Sequence, residues 1–181
     1  MPELPEVETV MRELSPLLLG NKLVSVTVRS PSLRIPIPKK SLSSLVGSKV
    51  LRLSRRAKYI LIDFASGQTL MIHLGMTGTF DCVAKDKFCK NDMDRHDHVV
   101  LETDKGRILV YRDPRRFGLL EVMPTAQVVA SRWLAKLGPE PLGDEFTAEV
   151  LQERLRKRSG PIKPAIMDQS VVVGVGNIYA S

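Results

Sequence analysis

Between Lys22 and Met123 the chain is written in eight short runs, KLVSVTVRS, KVLRLSR, KYILIDF, TLMIHL, GTFDCV, HDHVVLET, RILVYR and FGLLEVM, punctuated by turn residues such as Gly67, Gly78 and Asp104-Lys105-Gly106. Apolar and polar residues alternate within most of them, the period of a strand with one buried face. About eight such strands at regular spacing predict a β-sandwich or barrel.

The flanks follow a different period. VETVMRELSPLL places Val7, Val10, Met11, Leu14 and Leu17 or Leu18 on one helical face, with Pro5 suited to the first helical position and Glu6 and Glu8 in the turn where the helix dipole favours carboxylates. From about Thr125 the spacing becomes helical again. AQVVASRWLAKLG predicts a helix stopping at Gly138, and TAEVLQERLRKRSG a second one stopping at Gly160, with LGPEPLGDEF as a Pro/Gly connector between them. The stretch from Pro161 to Ser181 reads as a short helix, an apolar run, a glycine turn and the first residues of another helix. From these patterns the expected fold class is α+β: an N-terminal helix, about eight strands in a β-sandwich or barrel, then a helical region. The expected domains are residues 1–124 and 125–181.

A chain of 181 residues with 43% hydrophobic content can bury about two-thirds of its unfolded surface without disulfide or metal staples. Its longest apolar runs, such as Val171-Val172-Val173, fall far short of the roughly 20 residues a membrane span needs. MPELPEVETV lacks the basic and apolar regions of a secretory signal, and two cysteines do not make a disulfide framework. A reducing, cytoplasmic setting without membrane contact is expected. The net charge of +7 is concentrated in residues 1–60, which carry 11 Lys and Arg against 4 Asp and Glu. That asymmetry favours a polyanionic partner, although an ordinary enzyme with a mildly basic surface has the same balance.

Met1-Pro2-Glu3 carries a chemical possibility. A small second residue lets the initiator methionine be removed, leaving Pro2 with a secondary amine whose pKa lies near the α-amino range of about 7.7–8.0. Such an amine is a nucleophile near neutral pH, attacks electrophilic carbon to form Schiff bases, and works well beside a carboxylate that shuttles its proton. Taken alone, proline is simply a common second residue. Cys82, Cys89, His96 and His98 can be written as C-x6-C-x6-H-x-H, but structural zinc sites use tighter cysteine pairs, and no metal site is expected in this chain.

Read together, PELPEVETV from Pro2, RRAKY at 55–59, HLGMTG at 73–78, HDH at 96–98, DPRRFG at 113–118, LGPEPL at 137–142 and GVGNIYAS at 174–181 stand in one order. In that combination the chain closely resembles formamidopyrimidine-DNA glycosylase, a bacterial base-excision enzyme, over its whole length. The resemblance implies that Pro2 attacks C1′ of a damaged nucleotide, that Glu3 is the acid/base carboxylate protonating the opening sugar, and that Lys58 serves acid chemistry and damage recognition. β-Elimination and δ-elimination then cut the strand on both sides of the lesion.

An enzyme acting on a base must extrude it, and the hole left in the duplex must be filled. Met76 between two glycines, with Arg115 and Phe117 on the DPRRFG turn, supplies a flexible apolar chain, a planar cation and an aromatic ring suited to that wedge. By resemblance these three fill the void and point to oxidised purines, 8-oxoguanine and formamidopyrimidines, whereas the endonuclease VIII branch, with different intercalating residues, takes oxidised pyrimidines. The positions matched to phosphate contact are Lys58, His73, His96, Arg116, Lys157, Lys163 and Asn177. The glycines of GVGNIY allow close backbone approach ahead of a helix start, and the resemblance implies a two-sheet β-sandwich followed by a helix–two-turn–helix domain that is incomplete here.

The family carries a C-terminal zinc finger with two CxxC pairs and an arginine used in strand scission. No CxxC occurs here, so zinc is expected only in a full-length relative, and the chain is expected to be a truncated piece. The expected partner is double-stranded DNA containing oxidised bases or abasic sites, bound by a monomer. The rival from another class is a non-catalytic DNA-binding module whose basic first third only holds phosphates, with salt-dependent binding indifferent to Pro2 and Glu3.

Overall fold

A computed structural model describes residues 1–156 and 158–181. Helix α1 (Leu4–Leu18) begins beside Glu3, whose backbone N–H donates to the Glu6 carboxylate at 2.9 Å, and buries Leu4, Val7, Leu14 and Leu18. It is followed by β1 (Leu23–Val28), the short helix α2 (Lys39–Ser43), β2 (Val50–Arg56), β3 (Tyr59–Phe64), β4 (Gln68–His73), β5 (Thr79–Ala84), β6 (Asp97–Thr103), β7 (Arg107–Arg112) and β8 (Leu119–Pro124). Helices α3 (Ala148–Leu155) and α4 (Ile162–Met167) complete the chain.

All eight strands foreseen from the alternating runs are present, in two antiparallel four-stranded sheets ordered β1-β6-β7-β5 and β2-β3-β4-β8. The expected α+β architecture is therefore found. Ile60, Ile62, Leu70, Ile72 and Leu120 of one sheet meet Val99, Leu101, Leu109 and Tyr111 of the other, and α1 adds Val7, Leu14 and Leu18 to the same core. Burying side chains of this size contributes about 1.5–3 kcal/mol each.

The outer face of the β3–β4–β8 region is covered as well, which explains why YILIDF and TLMIHL are less cleanly alternating than a one-sided strand. Leu61, Met71, Leu119 and Met123 there meet Val128 and Leu134. That contact overrides the helix expected over residues 126–138. Thr125–Gln127 is one 3₁₀ turn, and the chain continues in successive turns in which Ser131 N–H donates to Val128 C=O, Leu134 to Ser131 and Leu137 to Leu134. The Trp133 indole N–H is drawn to Glu121 on β8. Val128, Leu134 and Leu137 pack onto the sheet, and the β-branched pair Val128-Val129 is a weak helix former.

The second expected helix forms as α3, with the Thr147 hydroxyl accepting from Val150 N–H at 3.3 Å, but α3 ends at Leu155, short of the expected stop at Gly160. Helix α2, which directly follows Pro38 and is only five residues long, had no periodic signal. Among the described residues no helix is long and apolar enough to cross a membrane. The C-terminal stretch is tied back to the 138–139 connector and to the head of α1. Gly138 N–H donates to Gln169 C=O at 2.7 Å, Val173 to Pro139 at 3.1 Å, and Leu4 at the head of α1 to Gly174 at 3.0 Å.

Candidate active site and nucleic-acid interface

The β2–β3 hairpin turns on Ala57 and Lys58, with Ala57 at φ +54°, a left-handed conformation uncommon outside glycine. Glu140, from the LGPEPL connector, holds this turn. Its carboxylate accepts from Ala57 N–H at 2.7 Å and from Arg55 and Arg56 at 2.8 Å each, while Arg56 also donates to Gly138 C=O at 2.5 Å. Burial alone would raise the Glu140 pKa, but these donors outweigh it and hold the carboxyl below its ordinary value. Arg55 additionally donates to Glu8 on α1 at 2.9 Å.

The clamped turn delivers Lys58 into the interior, where its ammonium donates to Val175 C=O at 3.0 Å. Burial lowers the Lys58 pKa, and the nearby Glu3 and Glu6 carboxylates partly oppose the shift. Glu3 is 1% exposed. One of its carboxylate oxygens accepts from Gly176 N–H at 2.6 Å and Tyr179 N–H at 3.3 Å, and the other accepts from Ile178 N–H at 2.7 Å. A methyl group on Gly176 would lie 2.5 Å from the Glu3 carboxyl carbon and 2.9 Å from the Lys58 ammonium, so only glycine lets this turn close over both groups.

Pro2, Glu3 and Lys58, matched as a catalytic set by resemblance, are thus brought to one place. Beside them is a cleft of about 260 Å³ lined by Met1, Ala57, Lys58, Tyr59, His73, Leu137, Met167, Gln169, Val175 and Gly176. While Met1 is attached, the Pro2 nitrogen is an amide without nucleophilic character. Removal of Met1 both frees the amine and opens one wall of the cleft.

His73 pairs with Tyr59 across β3 and β4, their rings 4.9 Å apart. Burial, reinforced by the Arg34 and Lys58 charges, lowers its pKa to about 4, so the ring is neutral near pH 7. Its Nδ1 accepts from Gly75 N–H at 3.0 Å, which places the ring proton on Nε2 as a neutral donor.

The same end of this sheet carries Met76, Arg115 and Phe117, matched to a wedge by resemblance. The HLGMTG loop leaves β4 at His73, and the DPRRFG loop enters β8 at Leu119, which pairs with His73. Gly75, at φ +64°, packs its α-carbon directly on the backbone of Phe117 and Gly118. Met76 and Phe117 are 37% and 46% exposed, and the Arg115 guanidinium lies 5.1 Å from the Phe117 ring centroid. Arg116, also exposed, is held at φ +57°.

His96 belongs with this loop, but through its backbone: its C=O accepts from Asp113 N–H at 3.0 Å, while its ring Nε2 accepts from Arg95 at 3.1 Å. Asn177 is exposed on the turn that holds Glu3, and its C=O accepts from the Ser181 hydroxyl, which in turn accepts from Lys163 at 2.9 Å. Asn177 and Lys163 are therefore linked through Ser181. Lys157 lies outside the described residues.

Residue motifs did not single out Glu140, Thr77, Asp113 or Arg34. Glu140, Thr77 and Asp113 do stand within quoted motifs, LGPEPL, HLGMTG and DPRRFG, but their partners are remote in sequence. Arg34 donates its backbone N–H to Gly118 C=O at 3.2 Å and stacks 5.7 Å from the Trp133 ring centroid, beside the wedge. Among the described residues no cluster of three or more His, Cys, Asp or Glu is placed to hold a metal, and Cys82 and Cys89 are exposed thiols.

A helix headed by proline and glutamate, a sandwich that offers it a buried lysine, and a glycine turn closing over both define a helix–two-turn–helix protein whose site is built around its own N-terminus. Residues 1–120 match the formamidopyrimidine-DNA glycosylase N-terminal domain, and residues 137–181 match the formamidopyrimidine-DNA glycosylase H2TH domain. The chain belongs to the formamidopyrimidine-DNA glycosylase family. It is 45% identical over 187 residues to the formamidopyrimidine-DNA glycosylase of Caulobacter vibrioides, covering 99% of this chain and 65% of that relative. The chain thus spans about two-thirds of that relative's length, slightly under that fraction.

Among solved structures, Lactococcus lactis Fpg in complex with DNA containing an abasic site superposes with a TM-score of 0.87 at 34% identity, covering 98% of this chain and 64% of that one. The same protein in complex with DNA containing N7-benzyl-Fapy-dG gives a TM-score of 0.87 at 35% identity over 98% and 64% of the two chains.

Proposed function

We propose that this chain is the catalytic and helix–two-turn–helix portion of a bifunctional DNA glycosylase/AP lyase that removes oxidised purines from double-stranded DNA. The observation that carries the reading is that the amide-cradled Glu3 carboxylate and the buried Lys58 ammonium meet at Gly176 beside a cleft lined by Met1 and Lys58, with Pro2 between Met1 and Glu3, in a chain that also exposes Met76, Arg115 and Phe117. A lesion base unstacked by those three side chains would leave its sugar within reach of the N-terminal amine. The structures of Lactococcus lactis Fpg with abasic-site and N7-benzyl-Fapy-dG DNA support such a partner.

In the proposed sequence, the free Pro2 amine forms a bond to C1′ as the C1′–base bond breaks, and the departing base takes a proton, a role open to Lys58. The nitrogen loses its proton to the Glu3 carboxylate. The C1′–O4′ bond then opens, O4′ taking a proton from the Glu3 carboxyl, and C1′ and the proline nitrogen are left as an iminium. Loss of a C2′ proton expels the 3′-phosphate by β-elimination, and δ-elimination expels the 5′-phosphate. Three backbone amides fix Glu3, so its orientation is set before DNA arrives.

Neutral His73 would contribute an N–H to a phosphate oxygen, with Arg116, Asn177, Lys163 and Lys157 completing the backbone contacts. The described residues offer no ligand set for the zinc implied by the resemblance, and none of these steps requires one. The reading places the protein in bacterial cytoplasm, acting as a monomer.

The test is incision of an 8-oxoguanine duplex with analysis of the cut ends. Release of the free base with phosphate on both flanking ends is expected. Salt-dependent binding without base release, unchanged in Glu3→Gln, would instead indicate a non-catalytic DNA-binding module.

A further inference from the structure

The loops bearing Met76 and Phe117 leave both side chains partly exposed to solvent rather than locked in a core. A polar contact joins them underneath. The Thr77 hydroxyl donates to Asp113 Oδ1 at 2.6 Å and accepts from Arg115 N–H at 3.1 Å, while Asp113 Oδ2 accepts from Gly118 N–H at 2.7 Å. One carboxylate and one hydroxyl therefore hold the backbone on both sides of Arg116 and Phe117 to the residue that follows Met76.

Asp113 is itself immobilised. It is 0% exposed, its N–H donates to His96 C=O at 3.0 Å, and its C=O accepts from Arg116 N–H at 3.2 Å and His98 Nε2 at 2.9 Å. The His98 ring is fixed from its other side by the Ser30 hydroxyl at 2.7 Å. Beneath the joint lies the Tyr111 hydroxyl, buried against Gly78 and Gly118 and close to the Asp113 carboxylate. A joint so enclosed by charge-assisted bonds and packed backbone has few alternative arrangements.

We infer that Thr77 and Asp113 form a latch that makes the Met76 loop and the Arg115–Phe117 loop one rigid wedge, with both acting as positioning residues for base extrusion. The latch stands on the geometry alone, while its purpose rests on the proposed function. Filling the space of an extruded base requires all three side chains to enter together, and a latched pair of loops does not lose conformational freedom at that moment.

The test compares Thr77→Val, which keeps the shape and removes the hydroxyl, with Thr77→Ser, which restores it. Hydrogen exchange should accelerate about 10-fold or more in both segments 75–78 and 114–118 of Thr77→Val, with strands β4 and β7 unchanged and Thr77→Ser like the parent. Loosening of one segment only, or of neither, overturns the latch. On DNA, Thr77→Val should lower 8-oxoguanine excision about 10-fold while changing borohydride cross-linking to a preformed abasic site less than about 2-fold, because an abasic site has no base to extrude. Equal loss on both substrates overturns the positioning role. A parent chain inactive on both substrates contradicts the proposed function, and the exchange result still decides the latch.

Discussion

Gly176 donates its backbone N–H to the Glu3 carboxylate at 2.6 Å across 173 positions of sequence, in a space that admits no side chain on the glycine. The two families of motif at the ends of the chain therefore serve one site. Gly176→Ala should displace Glu3 and the Lys58 ammonium together. The expected cost in stability is about 1–3 kcal/mol by overpacking, with a fall in base excision of about 100-fold or more. Chemical denaturation and single-turnover excision measure the two effects separately, and unimpaired excision would show that Glu3 placement is not critical.

Met76→Ala and Phe117→Ala should behave oppositely. Both side chains are substantially exposed, so unfolding free energy should move by no more than about 0.5 kcal/mol. Excision from a paired duplex should fall about 10-fold or more in each, since filling the hole beside an extruded base is their assigned task. A thermal melt paired with an excision assay distinguishes a wedge from a packing role.

Glu140→Ala removes the shared acceptor of Arg55, Arg56 and Ala57 N–H and should cost about 2–3 kcal/mol. Because its folded pKa is below the ordinary value of 4.5, Glu140 adds stability above about pH 4.5, and that stability is lost as the pH falls through its folded pKa. Urea unfolding from pH 7 to pH 3 should show a loss in the parent that Glu140→Ala shows less of.

His73 should titrate near pH 4 by NMR rather than near 6.5. Its folded pKa is depressed, so its contribution to stability is present above about 6.5 and declines as the pH falls towards 4. As a neutral donor it should weaken DNA binding when changed to Ala while leaving the slope of log K against log salt unaltered. Loss of a charged phosphate contact such as Arg116 should reduce that slope by about 1.

What could be read from the sequence follows from how local each signal is. The eight strands were legible because one residue in two faces the core between the sheets, and α1 because Val7, Leu14 and Leu18 repeat at its period. The segment 126–138 has helical spacing but lies on Leu61 and Met71, partners far away in sequence, and that packing determines its path. The same limit applied at the site. Pro2, Glu3 and Lys58 stood out through motif and chemistry, whereas the partners of Glu140 and the pairing of Thr77 with Asp113 exist only once the strands are folded.

The measurement that bears most directly on the Pro2 assignment is borohydride trapping of the chain, with Met1 removed, on an abasic duplex, followed by peptide mass mapping of the adduct. The prediction is a covalent adduct on Pro2 that falls sharply in Pro2→Gly. An adduct mapped to Lys58, or one undiminished in Pro2→Gly, would contradict an N-terminal proline nucleophile.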